Sequence, residues 1–291
     1  MTGARDARVP SPVSEPYGYR HPDARALRAL ARDPRARAEA GVCLLEGPRV
    51  IDAALERGAE LTGAYFGLGA RAAFPAVATR LDRAGVPTQD LKEGVLEKIG
   101  TTRTPQPVLA VARWEPHRIA DLVAAAAEGF VVVAVDIADP GNLGTILRSA
   151  EAAGSVGVVV AGDSVDVRSP KVVRSSAGAL FGVPVVVTPD APAALDGLRA
   201  AGIRCYGAVA RGGAAPHEAA IGPHGAIVVG NEARGLDSAL LAHLDGTVTI
   251  PMAGAAESLN VAMAATVLCF EAARQCAANR GDEAPTDGDV R

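Results

Sequence analysis

The chain has 291 residues, of which 49% are hydrophobic and 21% charged, and its formal net charge is −4. This composition excludes an intrinsically disordered protein and predicts a large core, divided more naturally between two domains than contained in one. The negative charge argues against a protein whose whole surface binds nucleic acid, although it is compatible with a local basic face.

Several special classes of protein and site are also excluded. No apolar run approaches the ~20 residues that a membrane-spanning helix needs, and the N-terminus lacks the apolar segment of a secretory signal. We therefore expect a soluble cytoplasmic protein. The four cysteines show no CxxC spacing and the histidines are scattered, so we predict buried free thiols and no metal site.

The N-terminal part of the chain predicts a small α/β domain at residues 21–113. Residues 1–20 are rich in Pro, Ser and Gly and predict a flexible arm. A basic amphipathic helix follows at 22–39, interrupted at Pro34. Its arginines are typical of a solvated face, and an RNA-binding face is the alternative. The next predicted elements are strands at 42–47, 61–67, 86–91 and 108–113 and helices at 48–58, 73–84 and 91–99.

A linker at residues 114–127 leads into a second α/β series at 128–280. It opens with the apolar run 130–137, which is typical of a central parallel strand covered on both faces. Further strands are predicted at 156–162, 183–187, 203–210, 226–230 and 247–251, with helices at 144–153, 170–180, 191–201 and 259–277. This pattern predicts a doubly wound open sheet, which binds ligands at the carboxyl ends of its strands. An acidic tail, 281–291, ends the chain.

Polar or glycine-rich segments follow four of these strands, at 139–142, 210–213, 230–235 and 251–260. Pattern alone does not say which ligand they bind. No GxGxxG opens a helix after a strand, and neither GxxxxGK[ST] nor GxSxG occurs. Dinucleotide-binding, P-loop and hydrolase sites therefore have little support.

Three segments carry a family resemblance: DPGNLGTILRSAEAAG (139–154), IVVGNEARGLD (227–237) and IPMAGAAESLNVAMAATVLCFEA (250–272). In order and spacing they resemble the three motifs of the SPOUT superfamily, specifically its TrmH/SpoU group of RNA ribose 2′-O-methyltransferases. The N-terminal unit is similar to the substrate-binding domain of many such enzymes, which resembles a small ribosomal protein. The resemblance implies a C-terminal trefoil knot, S-adenosylmethionine as cofactor, a homodimer that completes the site, and RNA, expected to be 23S ribosomal RNA, as substrate.

Carried over residue by residue, the motifs imply a set of catalytic residues: Arg148, Asn142, Glu232, Ser258 and Asn260. Arg148 would contact a phosphate and stabilise negative charge on the ribose oxygen, because a guanidinium is a poor general base. Asn142 would orient Arg148 or the ribose, and Glu232 would brace the pocket through backbone or arginine contacts. Ser258 and Asn260 would cap the last helix and face the nucleotide, and capping alone is the alternative.

The same resemblance implies a cofactor pocket formed by Gly230, Asn231, Ile250, Met252, Leu259 and Ala210. Taken singly, these are ordinary turn and core residues, and their joint position at strand ends favours a pocket. Arg168, Lys171 and Arg174 are candidates for RNA phosphate contacts, with a solvated helix face as the alternative. A catalytically idle RNA-binding or ribosome-assembly factor of the same fold remains the alternative function.

Overall fold

The computed structural model describes residues 15–102, 104, 106–255 and 257–281. Its strands are β1 (Val42–Glu46), β2 (Leu61–Phe66), β3 (Thr88–Asp90), β4 (Val108–Arg113), β5 (Phe130–Val135), β6 (Gly157–Ala161), β7 (Val185–Thr188), β8 (Arg204–Ala208), β9 (Gly225–Val229) and β10 (Gly246–Val248). Its α-helices are α1 (Pro22–Arg32), α2 (Pro34–Ala40), α3 (Pro48–Glu56), α4 (Ala70–Ala73), α5 (Pro75–Arg83), α6 (Val95–Ile99), α7 (Ile119–Ala125), α8 (Pro140–Ala152), α9 (Pro170–Ser175), α10 (Ala191–Ala200), α11 (Ser238–Leu241) and α12 (Val261–Arg280). Short 3-10 helices occupy Ala126–Glu128 and Ala179–Phe181.

The N-terminal α/β unit is built on a four-stranded sheet of order β1-β4-β2-β3. Strand β4 is antiparallel to both β1 and β2, whereas β2 and β3 are parallel. The helix predicted at 91–99 starts only at Val95, because Leu91 forms a β-bridge with Tyr17 and Gly94 has a left-handed φ of 73°. Residues 15–20 of the predicted arm are thus anchored to the sheet through Tyr17. Residues 1–14 and the tail from 282 onward lie outside the described residues.

The second sheet has six strands in the order β10-β8-β9-β5-β6-β7, and every pairing in it is parallel. This confirms the predicted doubly wound sheet with β5 at its centre. All six residues of β5 are buried, which explains its unbroken apolar sequence. From β5 the chain runs through β6 to β7 at one edge of the sheet, and it then crosses to β8 and β9 on the other side of β5. The ends of the neighbouring strands β5 and β9 therefore lie at the topological switch point.

Helix α8 begins four residues earlier than the sequence predicted. Asp139 is its N-cap, accepting hydrogen bonds from the backbone nitrogens of Gly141 (2.6 Å) and Asn142 (3.0 Å). Pro140 occupies the first helical position, where its missing N–H is no loss. Asn142 therefore lies in the first turn of the helix, and its side chain is held at a defined position beside the strand ends.

Helix α12 has an inner and an outer apolar face. Its inner face packs on α8 and the central strands through buried residues that include Ala265, Leu268 and Ala272. Its outer face exposes Met263 (59%) and Phe270 (53%). The expectation that no segment approaches a membrane span was wrong for length and composition, since this 20-residue helix meets both criteria. The packing of its inner face identifies it as a helix of the core.

The two α/β units share one apolar cluster and are joined by ion pairs. Glu46, whose side chain is 1% exposed, accepts hydrogen bonds from Arg174 Nη1 (2.6 Å) and the backbone nitrogen of Thr101 (3.0 Å). Arg37 of α2 is buried and donates through Nε to Asp166 Oδ2 at 2.8 Å. Arg37 therefore belongs to the interior, not to the solvated face that its sequence context indicated.

Replacing Glu46 should destabilise the protein far more than replacing an exposed carboxylate. We expect Glu46→Ala to lower the free energy of unfolding by about 3 kcal/mol, because Arg174 and Thr101 lose their shared acceptor. Glu60→Ala is the control: it breaks the exposed pair with Arg113 and should cost less than about 1 kcal/mol. Urea unfolding at one fixed protein concentration measures both, and equal midpoints would contradict the structural role of Glu46.

Candidate active site

A cavity of about 420 Å³ lies beyond the carboxyl ends of β8, β9 and β10. Its volume is typical of a small-molecule site. The six residues that the motifs assigned to the cofactor all line it: Ala210, Gly230, Asn231, Ile250, Met252 and Leu259. Two of the predicted catalytic residues, Glu232 and Ser258, also line it. The other three, Asn142, Arg148 and Asn260, lie outside its lining.

Contacts within the protein explain the glycine and the asparagine of the loop after β9. A Cβ at Gly230 would lie 2.5 Å from the carbonyl carbon of Gly235 and 2.7 Å from the nitrogen of Leu236. Glycine is therefore required because the loop folds back on itself. Asn231 donates from Nδ2 to the carbonyl of Asp136 at 2.8 Å, and its Oδ1 accepts from the backbone nitrogens of the next turn. Its side chain holds the loop in place, and the loop in turn shapes the cavity.

Glu232 fastens this loop to the start of α8. Its carboxylate accepts hydrogen bonds from the backbone nitrogens of Ala138 (3.1 Å) and Asp139 (2.9 Å) and from Asn142 Nδ2 (2.9 Å). Partial burial alone would raise the pKa of Glu232, but these donors outweigh it and hold the pKa below its ordinary value. Glu232 is therefore a charged brace at neutral pH, and its contacts are to the backbone and to Asn142.

Asn142 also connects to the start of α12. Its Oδ1 accepts a hydrogen bond from Asn260 Nδ2 at 3.1 Å. Asn260 is the N-cap of α12, with Oδ1 accepting from the nitrogen of Ala262 at 2.9 Å. The cap was predicted for both Ser258 and Asn260, but the helix begins at Val261, so Ser258 lies too far upstream to cap it. Ser258 is exposed and turned to the cavity.

Arg148 lies about 9 Å farther along the axis of α8 than Asn142. It is exposed and forms no hydrogen bond or ion pair with any residue that the structure describes. Its neighbour Ser149 contacts Thr266 of α12 through their hydroxyls at 2.7 Å. Arg148 thus lies on the exposed face of α8 and does not line the cavity of its own chain.

The three cations assigned to RNA phosphates are engaged within the protein. Lys171 Nζ lies 3.2 Å from Asp139 Oδ2. Arg174 is paired with the buried Glu46, and the guanidinium of Arg168 lies 4.8 Å from the ring centre of Trp114. All three lie along one side of the site, and of the three we expect the exposed ion pair of Lys171 to be the easiest to open.

Asp139 combines two functions that the sequence did not separate. It caps α8 and also holds Lys171 at the rim of the site. Burial tends to raise the pKa of Asp139, but hydrogen bonds from the nitrogen of Asn142, from Lys171 and from the nitrogen of Gly141 lower it overall. Its position directly after a buried strand and before Pro140 is the sequence signal for such a cap.

Further lining residues were missed because they carry no signal of their own. Leu236 and Val248 are ordinary apolar residues, and Arg234 and Glu257 are single charges inside the motif segments. Their positions at the end of β10 and in the loops after β9 and β10 could have indicated them. The loop after β10 also includes residue 256, which is outside the described ranges.

The lining suits S-adenosylmethionine. Ile250, Leu259 and Val248 supply apolar surface for a flat ring system. Glu232 and Glu257 place carboxylates around the same cavity, where they favour a cationic group such as a sulfonium. The side chains present therefore fit the methyl donor that the motifs imply.

Comparison with known proteins agrees with this geometry. Residues 129–270 match the model of the SpoU rRNA Methylase family, and residues 21–110 match the MRM3-like substrate binding domain. The chain is 38% identical over 186 residues to the 23S rRNA (guanosine(2553)-2′-O)-methyltransferase RlmP of Bacillus subtilis, covering 64% of this chain and 72% of that protein.

Solved structures extend the similarity to both units of the chain. The SpoU methyltransferase AviRb from Streptomyces viridochromogenes superposes with a TM-score of 0.77 at 31% identity, over 89% of this chain and 99% of that one. An AdoMet-bound rRNA methyltransferase from Sinorhizobium meliloti superposes with a TM-score of 0.73 at 28% identity, over 88% and 95%. AviRb has also been solved in complex with AdoMet. The chain belongs to the SpoU rRNA methylase family.

Proposed function

We propose that this chain transfers a methyl group from S-adenosylmethionine to a ribose 2′-hydroxyl of 23S ribosomal RNA. The observation that carries the proposal is that hydrogen bonds from Asn142 to Glu232 and from Asn260 to Asn142 join three distant motifs, two of which line the cavity. Family membership and a relative named as a 23S rRNA 2′-O-methyltransferase support the same activity. An enzyme of this kind acts on ribosomal RNA, which in bacteria is found in the cytoplasm.

The residues divide the task between holding the donor and holding the ribose. Bound S-adenosylmethionine supplies an electrophilic methyl group on its sulfonium. Ile250 and Leu259 hold the flat part of the donor, and the Glu232 brace keeps the α8 and β9 loops in register. Ser258, exposed at the cavity, is placed to contact the incoming nucleotide. Arg148 binds a phosphate of that nucleotide and stabilises negative charge on the 2′-oxygen as its proton leaves to solvent.

We further propose that residues 21–113 bind the RNA, 114–127 connect the domains, and 128–280 form the methyltransferase domain with a trefoil knot. The similarity of the fold to SpoU methyltransferases supports the knotted C-terminal segment that the motif resemblance implies. The match of residues 21–110 to a substrate-binding domain supports the assignment of the N-terminal unit.

We propose that the protein is a homodimer in which each subunit completes the active site of the other. Met263, Val267 and Phe270 are exposed by 59%, 44% and 53%, and their spacing places them on one stripe of α12. Such an apolar stripe favours a protein partner over water. Arg148 is exposed on α8, which packs on α12, and it does not line its own cavity. This supports a dimer in which each cavity receives the partner subunit's Arg148.

Arg148→Ala should abolish methyl transfer without weakening cofactor binding. We expect the rate to fall at least ~100-fold, because charge on the 2′-oxygen loses its stabilising group. Calorimetry with S-adenosylmethionine should give the wild-type affinity, and Arg83→Ala, which removes an exposed arginine elsewhere, should keep full activity. Full activity of Arg148→Ala would refute this role. Failure of the wild type to bind the cofactor would favour an idle factor.

Co-expression of two inactive chains tests whether Arg148 acts across the dimer. Ile250→Trp should fill the cavity and block the cofactor, while Arg148→Ala leaves the cavity open. Mixed dimers then contain one open cavity facing an intact Arg148, and random pairing should restore roughly a quarter of wild-type activity. If Arg148 serves its own cavity, the mixture stays inactive.

Glu232→Gln should destabilise the protein only where the carboxylate is ionised. The folded pKa of Glu232 lies below its ordinary value of 4.5, so its contribution is present above that value and is lost as pH falls through the folded pKa. We expect the free energy of unfolding of the wild type to exceed that of the variant by about 1 kcal/mol or less at pH 7, because the residue is exposed. Urea midpoints measured from pH 7 downward should converge below pH 4.5, and a constant difference would contradict the ionised brace.

Phe270→Lys should convert the dimer into a monomer. A lysine at the end of the apolar stripe would leave a charge buried between two copies of α12. Light scattering should give twice the chain mass for the wild type and the chain mass for the variant. Leu68→Lys is the control, since Leu68 is 72% exposed on the N-terminal unit. A monomeric wild type would contradict the dimer.

A further inference from the structure

The outer face of α1 carries three arginines in a row. Arg25, Arg28 and Arg32 are spaced by three and four residues, so they share one face and extend over about 10 Å of the helix axis. The adjoining face buries Ala24 and Leu27 against the first sheet. The helix is thereby fixed in rotation, and its cations are directed away from the core.

Lys98 of α6 and Tyr19 complete a cluster around these arginines. Arg32 Nη2 donates to the carbonyl of Lys98 at 3.2 Å, which ties the two helices together. The guanidinium of Arg28 and the ammonium of Lys98 each lie 4.7 Å from the centre of the Tyr19 ring. The tyrosine is 39% exposed, so part of it remains open to a ligand. We call Tyr19, Arg25, Arg28, Arg32 and Lys98 the α1 cation cluster.

The cations of this cluster differ from most others in the protein because they lack carboxylate partners. None of the four forms an ion pair with a carboxylate in the described ranges, whereas ion pairs hold many arginines elsewhere: Arg37, Arg57, Arg71, Arg80, Arg113, Arg118, Arg174, Arg199 and Arg274. The acidic groups of α1 and its cap have other contacts. Asp33 accepts from the nitrogen of Arg35, and Asp23 faces Tyr65, whose pKa burial and Asp23 both raise.

The cluster is connected to the active site by a series of contacts, and the two units share one apolar cluster. Helix α6, which carries Lys98, leads directly to Thr101, whose nitrogen and hydroxyl are bound by Glu46. Glu46 also holds Arg174, at the end of α9. One turn earlier on α9, Lys171 contacts Asp139 at the start of α8. The cluster and the cavity thus lie on parts of the molecule that are fixed relative to each other.

We propose that the α1 cation cluster binds the sugar–phosphate backbone of the substrate RNA at a distance from the target nucleotide. The proposal rests on the assigned methyltransferase function. Free cations can pair with phosphates without breaking an ion pair of the fold, and contacts of this kind fix the register of an RNA without reading its sequence. The Tyr19 ring keeps the Arg28 guanidinium and the Lys98 ammonium close together, which concentrates positive charge on this face.

An anionic membrane is the competing partner for a basic helix, and the composition of the face disfavours it. The exposed residues between the cations are alanines, Ala26 and Ala29. Helices that bind in a membrane interface need large apolar side chains to insert beside their cations. The face of α1 has charge without an inserting group, which fits a solvated phosphate backbone.

The test compares two pairs of exposed, unpaired arginines. Arg25→Gln/Arg32→Gln removes two charges from the cluster. Arg83→Gln/Arg204→Gln also removes two charges. Arg83 precedes β3 and Arg204 begins β8, so both lie near the amino ends of strands. Thr101 and the cavity lie beyond the carboxyl ends of the strands in their sheets. Full-length proteins are titrated with 23S ribosomal RNA fragments over a series of salt concentrations, and methyl transfer is measured with the same fragments.

We expect the cluster variant to bind RNA about tenfold more weakly and to raise the KM for RNA, with kcat and cofactor affinity unchanged. The slope of log affinity against log salt should become shallower by roughly 1 to 2, as expected for two lost phosphate contacts. The control pair should match the wild type, and Arg25→Lys/Arg32→Lys should recover most of the affinity because it retains the charge.

Equal RNA affinity and salt slope in the two glutamine variants would overturn the proposal. So would a cluster variant that loses binding to phosphatidylserine vesicles but keeps its RNA affinity. Failure of the proposed function is distinguishable, because a wild type that binds RNA through the cluster but transfers no methyl group would refute the activity and leave the RNA surface in place.

Discussion

The site depends on one exposed carboxylate that gathers three segments far apart in sequence. Glu232, after β9, accepts two backbone N–H groups at the start of α8 and the amide of Asn142, which in turn accepts from Asn260 at the start of α12. A carboxylate can accept several donors at once, and charge-assisted bonds are stronger than neutral ones. The pairing of β5 with β9 brings the first two of these segments together, and the hydrogen bonds of Glu232 and Asn142 then fix all three beside one cavity.

A second set of charges fixes the N-terminal unit against this site. Glu46 and Arg37 are both buried, and each pairs with a residue of the second unit. Removing one partner from such a pair leaves an uncompensated charge, so the pairs specify one relative position of the two units even where their net stabilisation is modest. Helix α9 is held at both ends. Arg174 at its end contacts the first unit, and Lys171 in its first turn contacts the rim of the site. An RNA held by the first unit would thus meet a cavity at a fixed distance.

The sequence predicted the framework well and the contacts of its charged side chains poorly. Strands such as β5 follow from apolar runs that only a doubly covered sheet can bury, and the six residues expected to hold the cofactor all line the cavity. The partner of an arginine, in contrast, is set by tertiary contacts across long sequence separations. Arg174 was expected at an RNA phosphate and is paired with Glu46, 128 residues away. The reason for Gly230 was equally hidden, because it is a backbone contact within the loop.

Free cations, more than net charge, decide whether this protein can bind an RNA. A phosphate must compete with the carboxylate of any arginine that is already paired, whereas an unpaired arginine gains a phosphate and releases counterions from the RNA. At a net charge of −4, most of the surface should repel RNA at long range. Local attraction then comes from the places where cations outnumber their intramolecular partners, and those that we assign to RNA are on α1 and at Arg148. Since these places lie on opposite sides of the ion pairs that join the two units, a single RNA can contact both only if its backbone crosses that junction.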